Sequence, residues 1–197
     1  MPRSTLKIIK FKTVEQATKS LLEALGFDLK HQDLKGTPTR VAKVFVKELS
    51  KEDPKVLKKL FSTFRLQSDV MIVLRGHKTF SRCPHHLERV LLKVDVGYIS
   101  NEKVIGVSKL ARIVDYFSKG LMLQEEIVTG VAEGLMKALS PKGVAVVAEG
   151  QHLCMMARGV ESDGHVVTSK MTGVFLEDSH VGVAAREEFF NLVGRRV

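Results

Sequence analysis

The chain has 197 residues, enough for one substantial core and a small accessory region. Its 44% hydrophobic and 27% charged content is that of an ordinary folded protein, and no apolar run approaches the roughly 20 residues that span a bilayer. A formal charge of +9 calls for an anionic partner, yet the lack of tryptophan and of any aromatic-interleaved basic block argues against nucleic acid.

Basic residues are spread along the chain, with short clusters at Lys55–Lys59 and Arg195-Arg196, and a diffuse solvated surface accounts for most of them. The first residues, Met1-Pro2-Arg3-Ser4-Thr5-Leu6-Lys7, lack a signal-peptide core, so a cytoplasmic protein is expected.

In chain order, Thr13 with Gln16 three residues on reads as a capping box, followed by an apolar stripe of Ala17, Leu21 and Leu25 that Gly26 stops. Thr37-Pro38 starts a second helix with Val41, Val44, Phe45 and Leu49 on one face, broken at Asp53-Pro54. Val56, Leu57 and Leu60 add a short helical piece. Residues 1–66 therefore read as a helical N-terminal region.

The pattern changes after Gln67-Ser68-Asp69. A strand is predicted from Val70 to Phe80, and Val90, Leu92, Val94, Val96 and Tyr98 alternate along a second. Ser108 is the expected cap of a helix that buries Leu110, Ile113, Val114 and Phe117, interrupted at Lys119-Gly120. A further helix from about Gln124 carries Ile127, Val131, Leu135 and Leu139 and ends at Ser140-Pro141. Val144–Met156 and Val166–Phe175 read as two more strands, and Ala184–Val193 as a terminal helix.

Residues 67–197 thus form an α+β unit, an antiparallel four-stranded sheet with two helices on one face. Such a sheet has edges that invite association, and pairing them between copies is one solution.

The chemistry concentrates in Phe80-Ser81-Arg82-Cys83-Pro84-His85-His86-Leu87, and the only other cysteine lies in Gln151-His152-Leu153-Cys154. Thiolate and imidazole suit Zn2+. Cys83, His85, His86 and Cys154 are candidate ligands, with His152 nearby, since on a strand His152 and Cys154 would share a face. If Cys83, His86 and Cys154 bind, the fourth position stays open, as in catalytic sites. Spacing alone does not force that choice, and buried free thiols or a disulfide remain the plain alternatives. Met155 and Met156 read as core filler.

Taken with the other motifs, these residues resemble GTP cyclohydrolase I. The resemblance runs from Thr37-Pro38-Thr39-Arg40-Val41-Ala42 to Arg186-Glu187-Glu188-Phe189. It rests on Cys83-x-His85-His86, Tyr98-Ile99, Val104-Ile105-Gly106-Val107-Ser108-Lys109-Leu110-Ala111-Arg112, Gln124-Glu125, His152-Leu153-Cys154-Met155-Met156-x-Arg158-Gly159 and Thr168-Ser169 before Gly173-Val174-Phe175. It implies a tunnelling fold, in which sheets of neighbouring subunits join into a barrel, and a homodecamer of two stacked pentamers with active sites between subunits.

The implied reaction converts GTP and water into 7,8-dihydroneopterin triphosphate and formate. The resemblance implies zinc on Cys83, His86 and Cys154, proton transfer by His85 and His152, and Ser108 near the ribose. It gives Glu125, with Gln124 beside it, the guanine edge, and assigns the triphosphate to Lys109, Arg112 and Arg158, with Arg40 as a further candidate. On pattern alone Glu125 would be a plain first-turn helix acid.

The chain departs from the family at Pro84, where Glu is usual, at Leu92, at Lys119-Gly120 and at Glu126, where Arg is usual. Two alternatives follow. One is a divergent relative that only opens the purine ring or takes another purine nucleotide. The other is a basic, zinc-stabilised nucleic-acid-binding protein, which would need a closed four-ligand metal; Cys83, His86 and Cys154 with no obvious fourth ligand argue against it.

Overall fold

The computed structural model describes residues 10–50, 54–66 and 69–195, and the chain divides after residue 51 into two compact units. Among the described residues no helix is long and apolar enough to cross a membrane.

The smaller unit is a helix pair, α1 (Phe11–Ala24) and α2 (Thr37–Leu49). Helix α1 starts earlier than expected. Lys10 is its N-cap and the Lys10 carbonyl takes the N–H groups of both Thr13 and Val14, so Thr13 lies inside the first turn and caps nothing. The expected Ala17, Leu21 and Leu25 stripe also faces outward. A two-helix unit covers one side of each helix, and Val14, Thr18 and Leu22 occupy that side. Helix α2 begins at Thr37 after Gly36, with Pro38 in the first turn where its missing N–H is harmless. Thr39 donates its hydroxyl proton to Glu15, tying α2 to α1.

The larger unit runs α3 (Pro54–Leu60), β1 (Thr63–Arg65), β2 (Met71–Arg82), β3 (Arg89–Ile99), β4 (Lys103–Ile105), α4 (Val107–Ser118), α5 (Gln124–Leu139), β5 (Gly143–His152), α6 (Leu153–Met156), β6 (His165–Gly173) and α7 (His180–Val193). The expected break at Asp53 and the change at Gln67-Ser68 lie outside the described residues. Strands β2, β3, β5 and β6 form one antiparallel sheet in that order, so β2 and β6 are its edges. The short pair β1–β4 is a separate ribbon that the sequence did not announce, because three-residue strands carry too little alternation.

Alternation does the rest. Val90, Leu92, Val94, Val96 and Tyr98 of β3 and Val144, Val146 and Ala148 of β5 point to one face and are sealed by Leu110, Ile113 and Val114 of α4 and Ile127, Val131, Leu135 and Leu139 of α5. This is the α+β subunit of the expected tunnelling fold. Two helices, α4 and α5, cover one face as expected, and the terminal helix α7 packs on the other. Ala145 and Val147 point the other way and meet Ala185, Phe189 and Val193 of α7. Gly97 makes room, since a β carbon there would lie 2.6 Å from the Phe189 ring.

Two strand ends also differ from expectation. β5 stops at His152 and the chain turns into α6, while β6 stops at Gly173 before a single 3-10 turn, Val174–Leu176.

Candidate metal centre

The hairpin joining β2 to β3 carries half of the centre. Its loop closes on itself, with the Cys83 N–H donating to the Glu88 carbonyl at 2.9 Å and the Leu87 N–H to the Cys83 carbonyl at 3.0 Å. Pro84 opens the turn Pro84–His86, a position that suits a fixed φ, so the departure from Glu has a local structural use. Arg82 donates to the Leu87 carbonyl and braces the loop from the strand end. Cys83 is buried, whereas His85 and His86 are exposed.

The other half comes from the end of β5. His152 and Cys154 do not share a strand face, because Cys154 sits in the helical turn α6. That turn, rather than strand pleat, swings Cys154 toward the hairpin. The ligand atoms of Cys83, His86 and Cys154 all lie within 4.8 Å of one another.

The two adjacent histidines differ in what they face. Both imidazoles approach the Cys83 sulfur, Nδ1 of His85 at 3.7 Å and Nδ1 of His86 at 3.9 Å. Only His86 joins the group that also contains Cys154.

Two sulfurs and one imidazole at this spacing fit Zn2+, whose bonds of about 2.0–2.3 Å bring its ligand atoms to about 3.5–4 Å from each other. The Cys154 thiol is pushed above its ordinary value, first by burial and then by the neighbouring Cys83 sulfur, with Arg158 pulling the other way. Burial and the facing sulfur keep the Cys154 thiol protonated until a cation displaces the proton.

Behind the cysteines stands a network that the sequence did not reveal. Gln124, the first residue of α5, is 4% exposed. Its side-chain nitrogen donates to the carbonyls of Ala148 and Val166, each at 2.9 Å, with Thr168 Oγ1 at 3.1 Å. Its oxygen lies 2.9 Å from His152 Nε2. The carboxamide is therefore occupied within the chain and acts on His152. Gly150 was the available signal, since a β carbon there would lie 2.1 Å from the Gln124 oxygen and a glycine inside a strand marks such a close approach.

His152 is held below the ordinary imidazole range by burial, and the Glu125 carboxylate opposes that shift. Glu125 is exposed, whereas Glu126 turns back and accepts from the Leu123 N–H at 2.9 Å. The departure from Arg at position 126 thus supplies a helix cap. Arg158 is exposed just beyond α6.

The remaining candidates lie on other elements. Ser108, Lys109 and Arg112 lie on α4, whose N-cap is Gly106, so Ser108 is the second helical residue and not the cap. Lys109 donates to Ser62 Oγ and lies 5.9 Å from the centre of the Phe64 ring. Arg40 belongs to the smaller unit, where it donates to the Asp33 carbonyl and to Thr37 Oγ1, each at 3.0 Å.

The family model for GTP cyclohydrolase I matches residues 14–194. The chain is 39% identical over 186 residues to "GTP cyclohydrolase 1" of Porphyromonas gingivalis, covering 93% of each chain. It is 38% identical over 185 residues to "GTP cyclohydrolase 1" of Coxiella burnetii, covering 92% of this chain and 97% of the relative. Among solved structures it is similar to the apo form of the archaeosine synthase QueF-Like, at 21% identity and a TM-score of 0.42, over 53% of this chain and 96% of that one. With the family model spanning both units and relatives matched along nearly their whole length, the chain belongs to the GTP cyclohydrolase I family of enzymes.

Proposed function

We propose that the chain converts GTP and water into 7,8-dihydroneopterin triphosphate and formate, with Zn2+ held by Cys83, His86 and Cys154. The observation that carries this reading is the convergence of two sulfurs and one imidazole beside a histidine that Gln124 fixes in place. When bound, the ion supplies Lewis-acid activation of water for attack at C8 of guanine.

The chain's own residues supply binding and proton transfer. Gln124 commits its nitrogen to two carbonyls, so its oxygen must accept, and His152 carries its proton on Nε2. Nδ1 is left as the basic atom, and burial keeps the ring neutral and ready to take a proton as the imidazole ring of guanine opens. His85, beside the Cys83 sulfur but outside the ligand set, is assigned to return a proton to the ring nitrogen as the formyl group leaves it. Glu125, exposed next to His152, accepts the adjacent N1–H and 2-amino protons of guanine.

The triphosphate falls to cations: Arg158 beside α6, with Lys109 and Arg112 on α4, and Arg40 as a further contributor. Ser108 is assigned to the ribose. Lys109 and Arg112 are engaged or exposed away from the cysteine–histidine group, which supports a site completed by the α4 of a neighbouring subunit. The open edges β2 and β6 support the same assembly, sheets joined into a barrel within a homodecamer.

The test is metal analysis and product identification on the same purified protein. One zinc per chain, with formate and a pterin that becomes fluorescent on oxidation, is expected from GTP. Formate without a pterin would reduce the activity to ring opening. Neither product from metal-loaded protein would refute the reading.

A further inference from the structure

The sheet face opposite the metal centre holds a separate concavity of about 670 Å³, lined by Lys78, Phe80, Leu91, Lys93, Glu149 and His165 among others. Pleat places it there. Leu92 and His152 point toward α4 and α5, so Leu91, Lys93, Glu149 and Gln151 project the other way.

Register then makes an unusual pair. Lys78 lies directly opposite Lys93, and on the same face Phe80 lies opposite Leu91. Like charges directly opposite in an antiparallel pair, with Cβ atoms about 5 Å apart, destabilise the sheet. The acids nearby do not relieve them. Glu149 is bound by Arg195 Nη2 at 3.0 Å and His165 Nδ1 at 2.7 Å, and both hold its carboxyl below the usual carboxylate range. Asp95 is 1% exposed and taken by Arg195 Nε at 3.3 Å and the Gly76 N–H at 2.6 Å. Among the described residues neither lysine has an ion-pair partner.

Beside the two ammonium groups lies an apolar shelf. Phe80 is 45% and Leu91 44% exposed, an arrangement that a merely solvated lysine pair does not require. Gln151, opposite Leu91, offers both a donor and an acceptor further along the same row. The volume is within the roughly 300–1,000 Å³ of small-molecule sites.

We propose that this groove binds a small amphipathic organic anion, its carboxylate, sulfonate or phosphate between Lys78 and Lys93 and its flat apolar body against Phe80 and Leu91. The site shares no residue with the metal centre and does not depend on the reaction assigned to it. The bound anion neutralises the repelling pair and covers the shelf, so one ligand resolves both features.

The probe is 1-anilinonaphthalene-8-sulfonate, an aromatic sulfonate that brightens on apolar contact, titrated into the metal-loaded full chain. Saturable binding is expected, competed by benzoate but not by neutral benzyl alcohol. Lys78→Gln with Lys93→Gln should weaken the dye at least about tenfold, because both charge-assisted contacts to the sulfonate are lost. Leu91→Ser should weaken it separately, and all three positions are on the surface, so a cooperative melt should confirm that the variants fold. Binding at unchanged affinity in the double lysine variant would overturn the proposal. So would equal competition by benzyl alcohol, or displacement by GTP in that double variant, which would locate the dye on the other face.

Discussion

Gln124 Oε1 and His152 Nε2 are 2.9 Å apart, and the amide cannot be turned round without losing its bonds to Ala148 and Val166. One buried side chain therefore sets the tautomer of the proposed base. Gln124→Ala should lower kcat by about tenfold to a hundredfold, a fraction of what a well-placed general base contributes. Zinc content should stay at the wild-type level. Steady-state kinetics and metal analysis on one preparation check both halves.

Cys154→Ser removes one of two sulfurs from the proposed ligand set. Metal and activity should disappear together, because a hydroxyl is a poor zinc ligand at neutral pH. Retained stoichiometric zinc would remove Cys154 from that set.

Glu125→Gln keeps the shape of the side chain and deletes its charge. KM for GTP should rise more than kcat falls, and zinc should remain bound, since Glu125 is not one of the three proposed ligands. Unchanged GTP kinetics would take Glu125 out of the substrate site.

Tyr98 is buried in the core with its hydroxyl accepting from the Ile105 N–H at 3.1 Å. Burial also raises its pKa. Tyr98→Phe leaves a buried N–H without a partner and should cost about 1–3 kcal/mol. Denaturant titration should show the midpoint falling at constant slope.

Much of this was legible in the sequence and some of it was not. The alternation of Val90 to Tyr98 and the periodic stripes of α4 and α5 fixed the sheet and its two covering helices, because burial on one face leaves a pattern of period 2 or 3.6. The stripe of α1 misled, since a helix can carry apolar residues on a side that its own unit leaves uncovered. Cys83 and Cys154 were legible as candidate metal ligands from residue chemistry. The choice between His85 and His86 could not, because it depends on how the loop folds after Pro84. Gln124 was read as a substrate contact, whereas in the folded chain it turns inward to two carbonyls and a histidine.

Acid should expose the latch around Arg195. Glu149 has a carboxyl lowered from its ordinary value of 4.5 by His165 and Arg195. A depressed folded value means that the stabilisation is complete above about pH 4.5 and is lost as pH falls through that lowered value. Glu149→Gln should flatten this part of the acid-side stability curve. A melting series from pH 7 downward tests it, and equal slopes in both proteins would show that the latch is thermodynamically silent.

The final residue pair between β3 and β5 is Val90 with His152, at the root of the hairpin that carries Cys83 and His86. Slipping β5 by one residue would turn every side chain to the opposite face and carry Cys154 about 3.3 Å along the strand. A zinc ion would then act as a gauge of alignment, captured by correctly zipped chains and refused by misaligned ones. Metal stoichiometry in a refolded sample would accordingly report the proportion of molecules that closed their ladder in the proper frame, before any turnover is measured.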